Sequence, residues 1–170
     1  MIRAVGLALY GPLAASTRYR LGQYVPGLRK EGIDLQVSSL LGDDYLQKRF
    51  STGGMPWVSM LKAGFERVRG LRARDRDVAV LHCELFPLMP GGLERHLLRD
   101  MPYVYDFDDA FYLKYRHGRL GALEPMLGNK FDAVMSGAAA ITAGNATLGD
   151  YAARYNSDVT LLPTVVDTDR

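Results

Sequence analysis

A chain of 170 residues with 48% apolar and 24% charged content has enough length for one domain, because about 150 residues already bury roughly 68–70% of their unfolded surface. The same balance, without a low-complexity tract, excludes an intrinsically disordered chain. A formal charge of +2 gives no grounds for a nucleic-acid partner, which calls for a concentrated basic stripe.

The single cysteine, Cys83, has no partner for an internal disulfide and fits a reducing compartment, so a cytoplasmic location is expected. Met1–Leu9 shares one charge and an apolar stretch with signal peptides, but Gly6, Tyr10 and Pro12 interrupt the pattern. No uninterrupted apolar run reaches the ~18 residues of a transmembrane span.

Apolar bursts recur at 3–9, 33–41, 77–83, 102–106, 138–142 and 158–162, with helical periodicity between most of them. Such alternation predicts a doubly wound, mainly parallel Rossmann-like α/β sheet with helices on both faces. After the first burst, Leu21, Tyr24, Val25 and Leu28 mark one face of a crossover helix stopped by Gly32, with Ser16 or Thr17 as N-cap. Gly42–Met55 reads as an irregular loop with a short helix at Asp44–Phe50. Trp57–Arg76 reads as a helix with Val58, Leu61, Phe65 and Val68 along one face. Further helices are expected at about Leu120–Ser136 and Thr147–Tyr155. Residues 1–162 thus form one Rossmann-like unit, and Leu161–Asp167 is an extended segment leaving the last strand.

The most informative stretch is Pro102–Ala110, an apolar strand pattern running into Asp106, Asp108 and Asp109. Charges at a strand's carboxyl end lie where open α/β sheets bind ligands, and crowded carboxylates need compensation by cations, protons or ligand hydroxyls. A metal-binding D-x-D, a phosphorylated aspartate, polar contacts to a sugar and capping of the next segment are all compatible with the pattern. Ala110 stands where the phosphorylating motif needs Thr or Val, which weighs against that option.

The loop after the first burst supplies Gly11, Arg18 and Arg20, fit either to hold a phosphate at a helix start or to neutralise the aspartates. Glu84, ending the strand Val78–Leu81, offers a polar contact at the same edge. Cys83 beside it reads as core, and His82, His96 and His117 lack metal-ligand spacing. Lys62, Arg67, Arg69, Arg72, Arg74 and Arg76 form a basic run that is either a solvated face or a contact with anionic lipid at the inner membrane face.

Taken in order, these segments resemble the amino-terminal domain of GT-B glycosyltransferases of the family 4 type. Pro102–Asp109 is similar to that family's P-x-V-x-D-x-H-D strand, with Asp108 at the histidine position. Ala138–Asn145, Leu148–Tyr155 and Leu162–Asp167 are similar to its later strand, helix and hinge. The resemblance implies a retaining transferase whose nucleotide-sugar donor is a cosubstrate bound mainly by a second domain, with no metal or other cofactor. A saccharide or lipid-linked acceptor would be held by this half, and residues 163–170 would begin the interdomain hinge. It further implies catalytic roles for Asp108 and Asp109, with Gly11, Arg18, Arg20, Glu84, Asp106 and Asn145 contacting ligand.

Overall fold

The computed structural model describes residues 1–42, 57–73 and 75–166, and their strands form one parallel sheet. β1 (Ile2–Tyr10), β2 (Ile33–Leu41), β3 (Val78–His82), β4 (Tyr103–Phe107), β5 (Ala140–Ala143) and β6 (Val159–Leu161) lie in the order β2-β1-β3-β4-β5-β6. Six apolar bursts thus became six strands at nearly the expected places.

The two faces of β1 differ in side-chain size, and this explains what packs on each. Leu7 and Leu9 point into the main core, while Ala4, Gly6 and Ala8 form a shallow face on the other side. Onto that face packs the chain of α1 (Ala15–Arg20), a 3₁₀ turn at Gly22–Tyr24 and α2 (Val25–Lys30). A Cβ on Gly6 would stand 3.3 Å from a Leu21 methyl, so the small residue admits the close helix.

The opposite face carries α3 (Trp57–Arg72), α4 (Gly91–Leu98), α5 (Glu124–Leu127), α6 (Lys130–Gly137) and α7 (Ala146–Ala152). Leu81, Tyr103, Tyr105, Phe107 and Ile141 of the strands meet Leu98, Phe131, Val134, Met135 and Leu148 of these helices in one core. The connection from β1 runs outward to β2 and later ones run the other way, leaving a switch point between β1 and β3. Helices on both faces of a parallel sheet make this a Rossmann-like, doubly wound fold.

Several local expectations need correction. The first crossover is two short helices rather than one, and α1 is capped by neither Ser16 nor Thr17. Ala14 holds the N-cap position, and the Thr17 hydroxyl instead donates to Tyr10 O at 2.8 Å. Arg18 and Arg20 consequently lie in the last turn of α1, where the helix dipole favours a cation. The single helix expected over 120–136 is broken into a 3₁₀ stretch (Gly118–Leu123), α5 and α6, because Pro125 starts a new helix and cannot continue one. α4 had no counterpart in the sequence reading, and its opening Gly91-Gly92 masks the helical signal. The short helix at Asp44–Phe50 lies outside the described residues. Leu61 and Phe65, expected on an apolar face of α3, are 75% and 70% exposed and do not enter the core.

Candidate site at the carboxyl edge of the sheet

Register aligns His82, Asp106 and Thr142 side by side on β3, β4 and β5, on the face covered by α1. Arg20, at the end of α1, closes the group from above. Its guanidinium grips Asp106 with two nitrogens, Nε to Oδ2 at 3.0 Å and Nη2 to Oδ1. His82 Nδ1 lies 2.8 Å from Oδ2 and the Thr142 hydroxyl donates to Oδ1 at 2.6 Å. Arg20, His82 and Asp106 are all buried. Burial by itself would raise the Asp106 carboxyl, but the hydrogen bonds from His82 and Arg20 outweigh it and hold the group below its ordinary value. His82 Nε2 is buried without a protein partner, and the ring meets Phe111 edge-on.

The same arginine reaches the chain beyond β6. Arg20 Nη1 donates to Leu162 O at 2.6 Å and approaches the Thr164 hydroxyl at 3.4 Å. Thr164 in turn donates to Asp108 Oδ2 at 3.2 Å, and Gln23 donates to Val165 O at 3.0 Å. Of the extended segment expected over Leu161–Asp167 to leave the last strand, Leu161 ends β6 and Leu162–Val166 are pinned across the carboxyl edge of the sheet, while Asp167 lies outside the described residues.

A second buried cluster lies behind β3. Cys83, with φ 67°, bends the chain out of the strand, and its thiol is pushed well up by burial. Glu84 is thereby turned inward, where Lys130 Nζ donates to Oε2 at 2.7 Å, Tyr115 donates to Oε2 at 2.9 Å and Lys114 bonds Oε1. Glu94 completes the set, 3.0 Å from Lys130 Nζ and accepting from Phe86 N at 2.8 Å. Burial opposes ionisation of both carboxyls, yet Lys130 and Lys114 keep Glu84 below its ordinary value, whereas Glu94 stays raised.

Arg67 of α3 ties three segments together, donating to Ala8 O of β1 at 2.7 Å, Ser38 O of β2 at 2.8 Å and Leu85 O beyond β3 at 3.3 Å. Its burial lowers its pKa to about 10. Arg67 is thus a structural plug and does not belong to the basic surface of the helix.

The residues singled out from sequence fall into four groups. Arg20 and Asp106 meet in the buried frame, and Glu84 belongs to the second cluster. Arg18 is exposed and donates to Pro12 O and Leu13 O at 3.0 and 2.7 Å, while buried Gly11 accepts from Ala14 N. Asn145 caps α7, its side chain accepting from Leu148 N at 3.0 Å. Asp108 and Asp109 remain at the open edge: Asp108 is half-buried and Asp109 exposed, with Asp109 Oδ1 accepting from Ala110 N. Beside them, Asp109, Phe111, Leu113, Lys114 and His117 line a concavity of about 390 Å³.

Thr142, Lys130 and Glu94 were missed, and His82 was weighed only as a metal ligand. His82 and Thr142 had a usable signal, since polar residues ending adjacent parallel strands on the same face must share neighbours; the burial of Lys130 and Glu94 had none. Among the described residues, no group of three or more His, Cys, Asp or Glu side chains is arranged to hold a metal ion. No family model matches the chain, and no curated protein matches it.

Proposed function

We propose that this domain is the acceptor-binding half of a retaining glycosyltransferase that moves a sugar from a nucleotide-sugar donor to a saccharide or lipid-linked acceptor. The observation that carries the reading is the contrast at the carboxyl edge. Arg20, His82, Asp106 and Glu84 are consumed by internal contacts, while Asp108 and Asp109 stay accessible on the rigid platform so formed. Asp109, exposed and lining the concavity, and the half-buried Asp108 next to it suit a ligand rich in hydroxyls, which donate hydrogen bonds to them.

In this reading Asp108, tethered by Thr164, accepts from sugar hydroxyls and stabilises positive charge developing at the anomeric carbon, where a preformed anion counts most. Asp109 orients the sugar from the exposed side. The nucleotide diphosphate is assigned to a second Rossmann-like domain, so no cofactor is required of this chain. The resemblance of Pro102–Asp109 and of the segments from Ala138 to Asp167 to family 4 enzymes supports the assignment.

Two assays test it. The complete enzyme carrying Asp108→Asn should lose about 100-fold in kcat/KM for sugar transfer, with its melting temperature little changed; unchanged kcat/KM removes Asp108 from the mechanism. The 170-residue chain by itself should bind acceptor glycan but transfer no sugar, and turnover by the purified chain overturns the division of labour.

A further inference from the structure

The irregular segment after β4 is anchored to the domain by three of its side chains. Tyr112 stacks on Tyr151 of α7, with ring centres 3.6 Å apart. The Tyr115 hydroxyl donates to Glu84 and accepts from Leu88 N at 3.1 Å. Arg116 donates to Gly128 O and to Asp132, each at 2.7 Å. Around these anchors, Asp109, Phe111, Leu113, Lys114 and His117 line the concavity of about 390 Å³. A wall fixed in this way is preorganised, which lowers the cost of ordering it around a ligand.

Lys114 is held in that wall by a buried carboxylate. Its Nζ bonds Glu84 Oε1 and lies 5.2 Å from the centre of the Tyr115 ring, while 34% of the side chain stays exposed. Two left-handed residues, Cys83 at φ 67° and Leu88 at φ 61°, bracket Glu84, a conformation costly for residues other than glycine. Strain of this kind persists where the surroundings over-determine it, and it concentrates at ligand sites. Here the Tyr105 hydroxyl donates to Cys83 O at 2.9 Å and the Tyr115 hydroxyl receives Leu88 N–H, so buried tyrosines fix both residues. Glu84 does not need Lys114 for its neutralisation, because fully buried Lys130 already donates to it at 2.7 Å. An ammonium has three donors; Glu84 takes one from Lys114, and no other acceptor among the described residues takes the rest.

We infer that the concavity is a carboxylate subsite for a sugar acid, with Lys114 Nζ binding the anion and Phe111 supplying an apolar surface for the sugar ring. The subsite rests on the glycan-acceptor reading and narrows it: the acceptor presents a uronic acid rather than a neutral sugar. The wall carries one carboxylate, Asp109, and one ammonium, Lys114. A ring with hydroxyl donors on one edge and a single negative charge on another complements that pair. A phosphate monoester, with a charge of about −1.5 to −2 at neutral pH, meets the repulsion of Asp109 and Asp108 with a single lysine to offset it. Behind the wall, Glu84 and Lys130 keep the Lys114 ammonium at one point, which gives the carboxylate a fixed partner.

Titration of the 170-residue chain with glucuronate, glucose and glucose 6-phosphate, followed by amide chemical shifts, tests the subsite. Glucuronate should shift the amides of residues 109–117 and bind about tenfold more tightly than glucose, with an affinity that weakens as salt is added. Lys114→Met should bring glucuronate down to the level of glucose, whereas Lys114→Arg should keep the preference. Circular dichroism melting checks that Lys114→Met retains the fold; if it does not, the preference of the unsubstituted chain and its salt dependence still decide. Equal binding of glucuronate and glucose overturns the subsite and leaves the transferase reading standing, as does a preference that survives Lys114→Met in a folded variant. Tighter binding of glucose 6-phosphate than of glucuronate overturns the carboxylate assignment, and no shift at residues 109–117 with glucuronate overturns the site itself. The transferase reading is decided by turnover in the Asp108 variant, which none of these titrations measures, so the two can fail separately.

Discussion

At Asp106 three side chains contribute four hydrogen bonds to one carboxylate, and the energetics of the edge turn on that residue. Removing the charge from a buried pair leaves its partner uncompensated, which costs far more than an exposed ion pair contributes. Asp106→Asn is expected to destabilise the domain by about 3–5 kcal/mol at neutral pH, measured by urea denaturation. The pH dependence has a definite sign. The folded carboxyl sits below its unfolded value, so its contribution is present above about pH 4 and disappears as pH falls through the folded pKa. The acid limb of stability should therefore be shallower in the Asn variant; parallel limbs would show that Asp106 is not the titrating group. Sequence made this aspartate conspicuous and offered Arg20 as one of two arginines that could neutralise it, but gave no sign that His82 and Thr142 share it. Arg20 is 86 positions away, and only the packing of α1 against β1 brings the two together.

Helices and turns divide by how local their causes are. Gly32 ends α2 with φ 80°, a conformation available to glycine without strain, and a Cβ there would meet nothing within 4 Å. Gly91 has the opposite need: its Cβ would stand 2.1 Å from Lys130 O, because α4 and α6 cross at that point. Gly32→Ala should cost about 1 kcal/mol through backbone strain, and Gly91→Ala about 3 kcal/mol through displacement of α6. Thermal or chemical denaturation ranks the two, and a reversal of the order would refute the close crossing. The stop at Gly32 was legible because a glycine after a periodic run marks a helix end by itself. The start of α4 was not, since a Gly-Gly pair reads as a breaker until a second helix explains the missing side chains.

On the scale of the whole domain, the sheet edge and the segment leaving it behave as one piece. Arg20 joins Asp106 to Leu162, Thr164 joins Asp108, and Gln23 holds Val165. Each hydrogen bond of this kind contributes about 1 kcal/mol net, so loosening the segment needs no global unfolding. Hydrogen exchange across residues 162–166 should accelerate about fivefold in Gln23→Ala and further in Gln23→Ala/Thr164→Val. Unchanged exchange would mean that the Leu162 N–H bond to Ala143 O suffices to hold it.

The sequence by itself determined the parallel sheet, its six strands and the carboxyl edge on which Asp106, Asp108 and Asp109 lie. These depend on short-range patterns: apolar runs of strand length, helical periodicity between them, and charge placed where a run ends. Only the tertiary structure decided which charges are interior. Arg20 and Glu84 read as contacts at the sheet edge and Arg67 as part of a basic run, while Lys130 carried no signal, yet each is buried because a distant segment supplies its partner. Exposed Leu61 and Phe65 show the converse, since an apolar stripe on a helix states that a face will be covered and not by what. Burial depends on contacts between residues far apart in the chain, and no local pattern contains that distance.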